Sequence, residues 1–204
     1  MNTSGTTSLR TLGLAFCLAL GITLGLALAA ASVMAAEQNA APKVGDVLPD
    51  LPVTARLTPA EAAFLGLPAN APSFRLSQIK ARVLLVEVFS MYCPRCQAAA
   101  PAVNRLHERL AASPQARELR FVALGAGNTP FEVDFYRQKY RTPMPLLPDE
   151  DYSLHKAFRA VGTPAFFVLQ ALPGGRGLKV LLFHEGQPKD EDAFFAQVLA
   201  AAKP

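Results

Sequence analysis

Three cysteines and three histidines in 204 residues leave little with which to build a metal centre. A structural zinc site takes four ligands, usually with a second Cys or His pair at matching spacing. Here Cys93 and Cys96 form the single close pair, Cys17 is remote, and His107, His155 and His184 are scattered. Covalent haem attachment needs C-x-x-C-H, and Gln97 follows Cys96. No cofactor and no metal is therefore expected. Charge is scarce too, at 18% of residues, and neither sign dominates. The net charge of +4 becomes +3 once residues 1–36 are set aside, because Arg10 is their only charged side chain. So small and dispersed a surplus is a solvated mixed surface, and no nucleic-acid partner is expected. Internal repeats and low-complexity tracts are also missing.

Charge is missing in one place above all. Between Thr11 and Ala36 there is none, Arg10 stands before the run, and small residues close it at Val33-Met34-Ala35-Ala36-Glu37. A basic start, an apolar middle and a small-residue end describe a secretory signal, with cleavage after Ala35 or Ala36. The competing reading is an uncleaved anchor, since the run is about long enough to span a bilayer. The Ala-rich end favours cleavage. Phe16 before Cys17 is too bulky for a lipoprotein site, so Cys17 is expected to have no role in the mature chain. Either reading exports the domain, to the periplasm or another extracytoplasmic space, where two cysteines can persist as a disulfide. Residues 37–71 follow as a Pro/Ala-rich extension, and 72–204 as the main domain.

What the chain does have is Cys93-Pro94-Arg95-Cys96 between a strand-like and a helix-like stretch. From Arg82 to Phe89 the run after Arg82 is apolar except for Glu87, as in a central strand covered on both faces. Pro94 to Leu110 reads as a helix with Ala98, Pro101, Ala102, Leu106 and Leu110 among its buried positions, and with a kink at Pro101. A cysteine at the start of a helix has its thiolate stabilised by the dipole and the free N–H groups, and only the thiolate attacks a disulfide. A purely structural disulfide is the weaker reading, because so short a loop removes little unfolded-state entropy.

Around this centre the pattern continues. Thr58 to Leu65 is a short helix with Thr58 as N-cap and Pro59 at its first position, expected to pack Phe64, Leu65 and Leu67 inward. Ser73 to Ile79 is a strand leading into a turn. Leu119 to Gly125, Ala165 to Gln170 and Leu178 to Phe183 are further strands, the last two joined through Gly174-Gly175-Arg176-Gly177. Phe131 to Tyr140, Leu154 to Val161 and Asp190 to Ala202 are helices. After residue 82 the order is β-α-β-α-(α)-β-β-α.

That order, with C-x-x-C after its first strand, resembles the thioredoxin superfamily. Four more positions carry the resemblance: Glu87, six residues before Cys93, where the family has a buried carboxylate; Pro101, its helix-kinking proline; Gly162-Thr163-Pro164-Ala165-Phe166, its cis-proline loop; and Gly186 after the last strand. The resemblance implies an α/β thioredoxin-like fold, a central mixed β-sheet flanked by helices, with an N-terminal extension. Within the superfamily the chain is most similar to the exported TlpA/ResA-like thiol–disulfide oxidoreductases, through Val44-Gly45-Asp46-Val47-Leu48-Pro49-Asp50-Leu51 and Phe74-Arg75-Leu76-Ser77-Gln78-Ile79. It departs from them at Tyr92, where Trp is common. Phe89-Ser90-Met91-Tyr92-Cys93-Pro94 resembles instead the Phe-Phe-Ser-Phe-Phe-Cys-Pro pattern of the periplasmic oxidant DsbA.

The resemblance assigns roles. Cys93 is the exposed nucleophile and Cys96 the buried resolving thiol. Glu87 shuttles a proton to or from Cys96, with a raised pKa expected from burial. Arg95 favours the Cys93 thiolate by its charge. Pro164 is cis and frees the Thr163 backbone to pair with an extended substrate. Tyr92, Pro94, Arg95 and Thr163 form the substrate-binding rim. The expected partners are protein thiols or disulfides and a membrane-linked redox protein, with the chain a monomer. A reductant is expected first. The alternatives are a periplasmic thiol oxidant, a copper(I)-binding or partner-docking module, and a peroxiredoxin-type peroxidase. Peroxidases of that type have Pro seven residues before the reacting Cys, where this chain has Val86.

Overall fold

The computed structural model describes residues 40–69 and 71–203; the expected signal or anchor segment, 1–36, lies outside them. Strand β4, Val83–Phe89, runs through the centre with all seven residues buried. Its Val and Leu side chains each gain about 1.5–3 kcal/mol by leaving water, which is why so apolar a run takes the middle position. The other strands are β1 (Val47–Leu48), β2 (Pro52–Thr54), β3 (Ser73–Arg75), β5 (Leu119–Ala126), β6 (Leu146–Asp149), β7 (Ala165–Ala171) and β8 (Leu178–Glu185). The main sheet has the order β1-β8-β7-β4-β5-β6, and β2 with β3 forms a separate two-stranded sheet. Strands β4, β5 and β6 are parallel, while β7, β8 and β1 run antiparallel to their neighbours. The sheet is mixed and has helices on its faces, the expected thioredoxin-like architecture.

Alternation along β4 divides the core in two. Leu84, Val86 and Val88 face a cluster with Leu65, Phe74, Leu76 and Phe158. Here the sheet is covered by α1 (Pro59–Leu65), by α4 (Ser153–Ala157) and by residues around β3. Val83, Leu85 and Phe89 face the other cluster, with Cys96, Val103, Tyr136, Phe194 and Val198. Those residues come from α2 (Pro94–Ala111), α3 (Pro130–Tyr140) and α5 (Glu191–Ala201). Glu87 shares the parity of Leu85 and Phe89, so it lies on the face that α2 covers.

Local chemistry fixes the helix ends. Thr58 and Thr129 each close a capping box with a Glu three residues on, and each is followed by Pro. Asp190 caps α5 by accepting from the Ala193 N–H at 2.9 Å.

Three expectations need correction. Ala98 and Pro101 of α2 are exposed; the buried line is Cys96, Ala99, Ala100, Val103, Leu106 and Leu110. An alanine run has no polar contrast, so sequence periodicity leaves the face of its first turns undetermined. Phe64 is 38% exposed, with the Arg120 guanidinium 4.9 Å from its ring centroid, while Leu65 is the buried residue of that pair. Strand β6 was not expected, because prolines at 143, 145 and 148 mask it; as an edge strand it tolerates them. Among the described residues, 41–69 share one compact unit with the main domain, since β1 extends the main sheet beside β8. Among the described residues no helix is long and apolar enough to cross a membrane.

Candidate active site

Strand β4 ends at Phe89, and the chain turns through Ser90–Tyr92 into α2. The Cys93 N–H donates to the Ser90 carbonyl at 3.0 Å, which closes the turn. Cys93 occupies the N-cap of α2 in an extended conformation, and Pro94 follows at the first helical position. Proline loses nothing there, since that N–H has no helical acceptor. Cys96 lies one turn on and is fully buried, whereas Cys93 is partly exposed. Both are free thiols.

The loop before β7 closes the other side. The Thr163–Pro164 peptide is cis. The Cys93 thiol donates to the Thr163 carbonyl at 3.3 Å, across 70 residues of sequence. The loop is itself tied to β8: the Gly162 N–H donates to Glu185 Oε1 at 3.1 Å, and the Gly186 N–H to the Pro164 carbonyl at 2.7 Å.

The surroundings separate the two thiols. Partial burial pushes the Cys93 pKa up, but it is outweighed by the Thr163 side chain, the Cys96 thiol and the backbone N–H groups of Cys96 and Arg95, which bring it down to about 7. Arg95 reaches the sulfur through its backbone N–H. Burial pushes Cys96 up to about 12; its contact with Cys93 and the nearby Glu87 charge act the same way, opposed in part by Ser90 and Thr163. Glu87 is 4% exposed and its Oε1 has no partner. Burial alone raises its pKa to about 8. A carboxyl group that titrates near neutrality therefore lies within electrostatic reach of Cys96.

Around the opening, Tyr92, Pro94 and Arg95 are exposed. The Tyr92 hydroxyl donates to Glu132 at the start of α3. That hydrogen bond raises the Tyr92 pKa and lowers that of Glu132. The eight residues singled out in sequence, Glu87, Tyr92, Cys93, Pro94, Arg95, Cys96, Thr163 and Pro164, thus converge on one end of the sheet.

The AhpC/TSA family model matches residues 44–172, more than half of the sequence. The chain belongs to the AhpC/TSA family. No curated protein matches it. Among solved structures it is similar to a proposed thiol:disulfide interchange protein DsbE from Chlorobium tepidum, at 20% identity and TM-score 0.58, with 79% of this chain and 99% of that one covered. A second Chlorobium tepidum structure, a thiol:disulfide interchange protein of the thioredoxin family, matches at 18% identity and TM-score 0.54, over 80% of this chain and 100% of that one. A proposed protein disulfide isomerase from Bacteroides thetaiotaomicron matches at 13% identity and TM-score 0.59, over 79% and 91%. These likenesses establish the thioredoxin-like fold, and the family match makes the chain a thioredoxin-like oxidoreductase.

This AhpC/TSA-family site has members that sequence reasoning did not find. Asn128, fully buried, accepts the Met91 N–H, and Gln97 donates to the Met91 carbonyl. The Tyr136 hydroxyl donates to the Cys96 carbonyl at 3.0 Å. Glu132 and Glu185 hold Tyr92 and Gly162. The Thr129-x-x-Glu132 capping pattern was readable in sequence. The contacts of Asn128, Tyr136 and Glu185 span 23 to 40 residues and leave no local signal.

Proposed function

We propose that the chain is an exported thiol–disulfide oxidoreductase that exchanges electrons with protein disulfides through Cys93 and Cys96, working as a reductant. One observation carries this reading: two thiols one turn apart, one accessible with a pKa of about 7, the other buried at about 12. The Cys93 thiolate attacks one sulfur of a substrate disulfide. The substrate S–S bond breaks, a mixed disulfide forms, and the departing sulfur takes a proton. Glu87 then accepts the Cys96 proton, and the Cys96 thiolate attacks the Cys93 sulfur. The second substrate sulfur leaves as a thiolate and takes up the proton that Glu87 releases, and Cys93 and Cys96 end as a disulfide. Two electrons and two protons have passed to the substrate, and a membrane-linked redox partner restores the dithiol.

Thiolate stability supports this direction. A strongly oxidising centre stabilises its reduced form through a thiolate of very low pKa, about 3.5 in DsbA against about 7 in thioredoxin. Cys93 at about 7 supports the reducing end. Pro164, beside Thr163, supports a role for the Thr163 backbone in pairing with an extended substrate strand, with Tyr92, Pro94 and Arg95 on the rim. Export, by cleaved signal or anchor, is supported by the run through residues 11–36.

The test is reduction of insulin disulfides by the purified chain, with a redox titration of the Cys93–Cys96 couple. Turnover and a potential near −270 mV are expected of a reductant, against about −120 mV for a strong oxidant. Peroxide consumption without disulfide exchange, or stoichiometric copper(I) binding without turnover, would contradict the reading.

A further inference from the structure

Met91 stands two residues ahead of Cys93, and both of its backbone polar groups are held by side chains from elsewhere. Its N–H donates to Oδ1 of Asn128 at 2.8 Å. Its carbonyl accepts from Nε2 of Gln97 at 2.8 Å. Gln97 lies on α2 just past the second cysteine. Asn128 lies in the loop between β5 and α3 and is 0% exposed. Its Nδ2 is buried with no partner. An amide half satisfied in the interior is a poor source of stability. Its acceptor on Met91 gives it another use.

The loop that presents Asn128 is firmly built. The Asn128 N–H donates to Gly125 at 3.0 Å, the Gly127 N–H to Asp149 at 2.9 Å, and the Asp149 N–H to the Asn128 carbonyl at 3.2 Å. The Asp149 carboxylate in turn accepts the N–H groups of Leu154 and His155. A side chain on Gly125 would meet Val133 at 2.8 Å and Asn128 at 3.1 Å. Asn128 is therefore a fixed post, and Met91 is tied to it.

We propose that Asn128 and Gln97 are positioning residues that clamp Met91 and so hold Cys93 in register with the donors that make it reactive. The proposal rests on Cys93 being the attacking thiol. The Ser90–Cys93 turn is short, so the position of Met91 decides where the Cys93 sulfur lies relative to Thr163 and to the N–H groups of Arg95 and Cys96. Releasing either end of Met91 lets the turn shift and the sulfur leave those donors. The ionisable groups of the site and its rim are unchanged in the variants below: Cys96 and Arg95 on α2, Glu87 on β4, Tyr136 and Glu132 on α3, Tyr92 beside Cys93, and Glu185 on β8. A shift in titration then reports geometry rather than lost charge.

The experiment is site-resolved alkylation of the reduced, full-length chain by iodoacetamide between pH 5 and 10, for the parent, Asn128→Ala, Gln97→Ala and Val198→Ala. In the parent, the Cys93 midpoint is expected at about 7. Asn128→Ala and Gln97→Ala raise it toward the ordinary thiol value; a rise of one unit cuts the alkylation rate at pH 7 by about fivefold and leaves the rate at pH 10, where every accessible thiol is ionised, unchanged. Val198→Ala, a cavity in the core cluster that removes neither tie to Met91, lowers stability without moving the midpoint. Unmoved midpoints in Asn128→Ala and Gln97→Ala overturn the clamp. If Asn128→Ala does not fold, Gln97→Ala decides alone, since Gln97 is only half-buried on α2. Preferential labelling of Cys96 in the parent overturns the assignment of Cys93 itself, which distinguishes a failure of the proposed function from a failure of the clamp.

Discussion

Cys93 and Cys96 are the same chemical group one helical turn apart, and the two ends of that turn are different solvents. At the Cys93 end the helix has unused N–H groups, a threonine lies opposite, and water reaches the sulfur. At the Cys96 end the core closes over the sulfur, and the Glu87 carboxyl lies within electrostatic reach. The pKa values of about 7 and about 12 follow from those surroundings. A redox pair needs this inequality: one thiol ready to attack and one held back until a mixed disulfide forms.

The largest break in the comparison is removal of a sulfur. Cys93→Ser abolishes disulfide exchange, whereas Cys96→Ser keeps the attack and accumulates mixed disulfides with substrate proteins. Non-reducing electrophoresis of each variant incubated with insulin reads the difference; trapping by Cys93→Ser instead would reverse the roles.

Glu87→Gln comes next. It removes the group proposed to accept the Cys96 proton and is expected to slow the resolving step on the order of 10²-fold near pH 8, with the attacking step unchanged. It also has a thermodynamic signature. The Glu87 pKa is raised on folding from 4.5 to about 8. Its contribution to stability is therefore full below pH 4.5 and is lost as pH rises through 8, at about 1.4 kcal/mol per pH unit between those values. Denaturant melts from pH 4 to 9 are expected to show that decline in the parent and its loss in Glu87→Gln. Equal slopes would place the charge in water.

Smaller effects sharpen the Cys93 end. Thr163→Ala removes one thiolate-stabilising side chain but keeps the backbone carbonyl; it raises the Cys93 pKa and slows alkylation at pH 7 about two- to threefold. Tyr92→Phe removes an exposed hydrogen bond to Glu132, and stopped-flow exchange rates are expected to change less than about twofold.

The legibility of this chain follows the same division. Strand β4 was readable because burial on both faces leaves an uninterrupted apolar run. Glu87 stood out as the one polar residue in it. The cysteine pair, Pro101 and the Thr163–Pro164 loop were readable because each is a short motif in a fixed order. Strand β6 was hidden by its prolines, and the buried face of α2 by its alanines. Asn128, Tyr136 and Glu185 were invisible, because each acts on a backbone group 23 to 40 residues away, and such a contact leaves no periodicity and no motif. Sequence names the candidate reacting residues; the fold shows what holds them.

The most direct test of the central claim is the pH dependence of alkylation at each cysteine in the fully reduced chain, read by mass spectrometry. The account predicts half-maximal labelling of Cys93 at about pH 7, with Cys96 unlabelled until the solution is far more alkaline. Equal labelling of the two thiols across that range, or earlier labelling of Cys96, would contradict it.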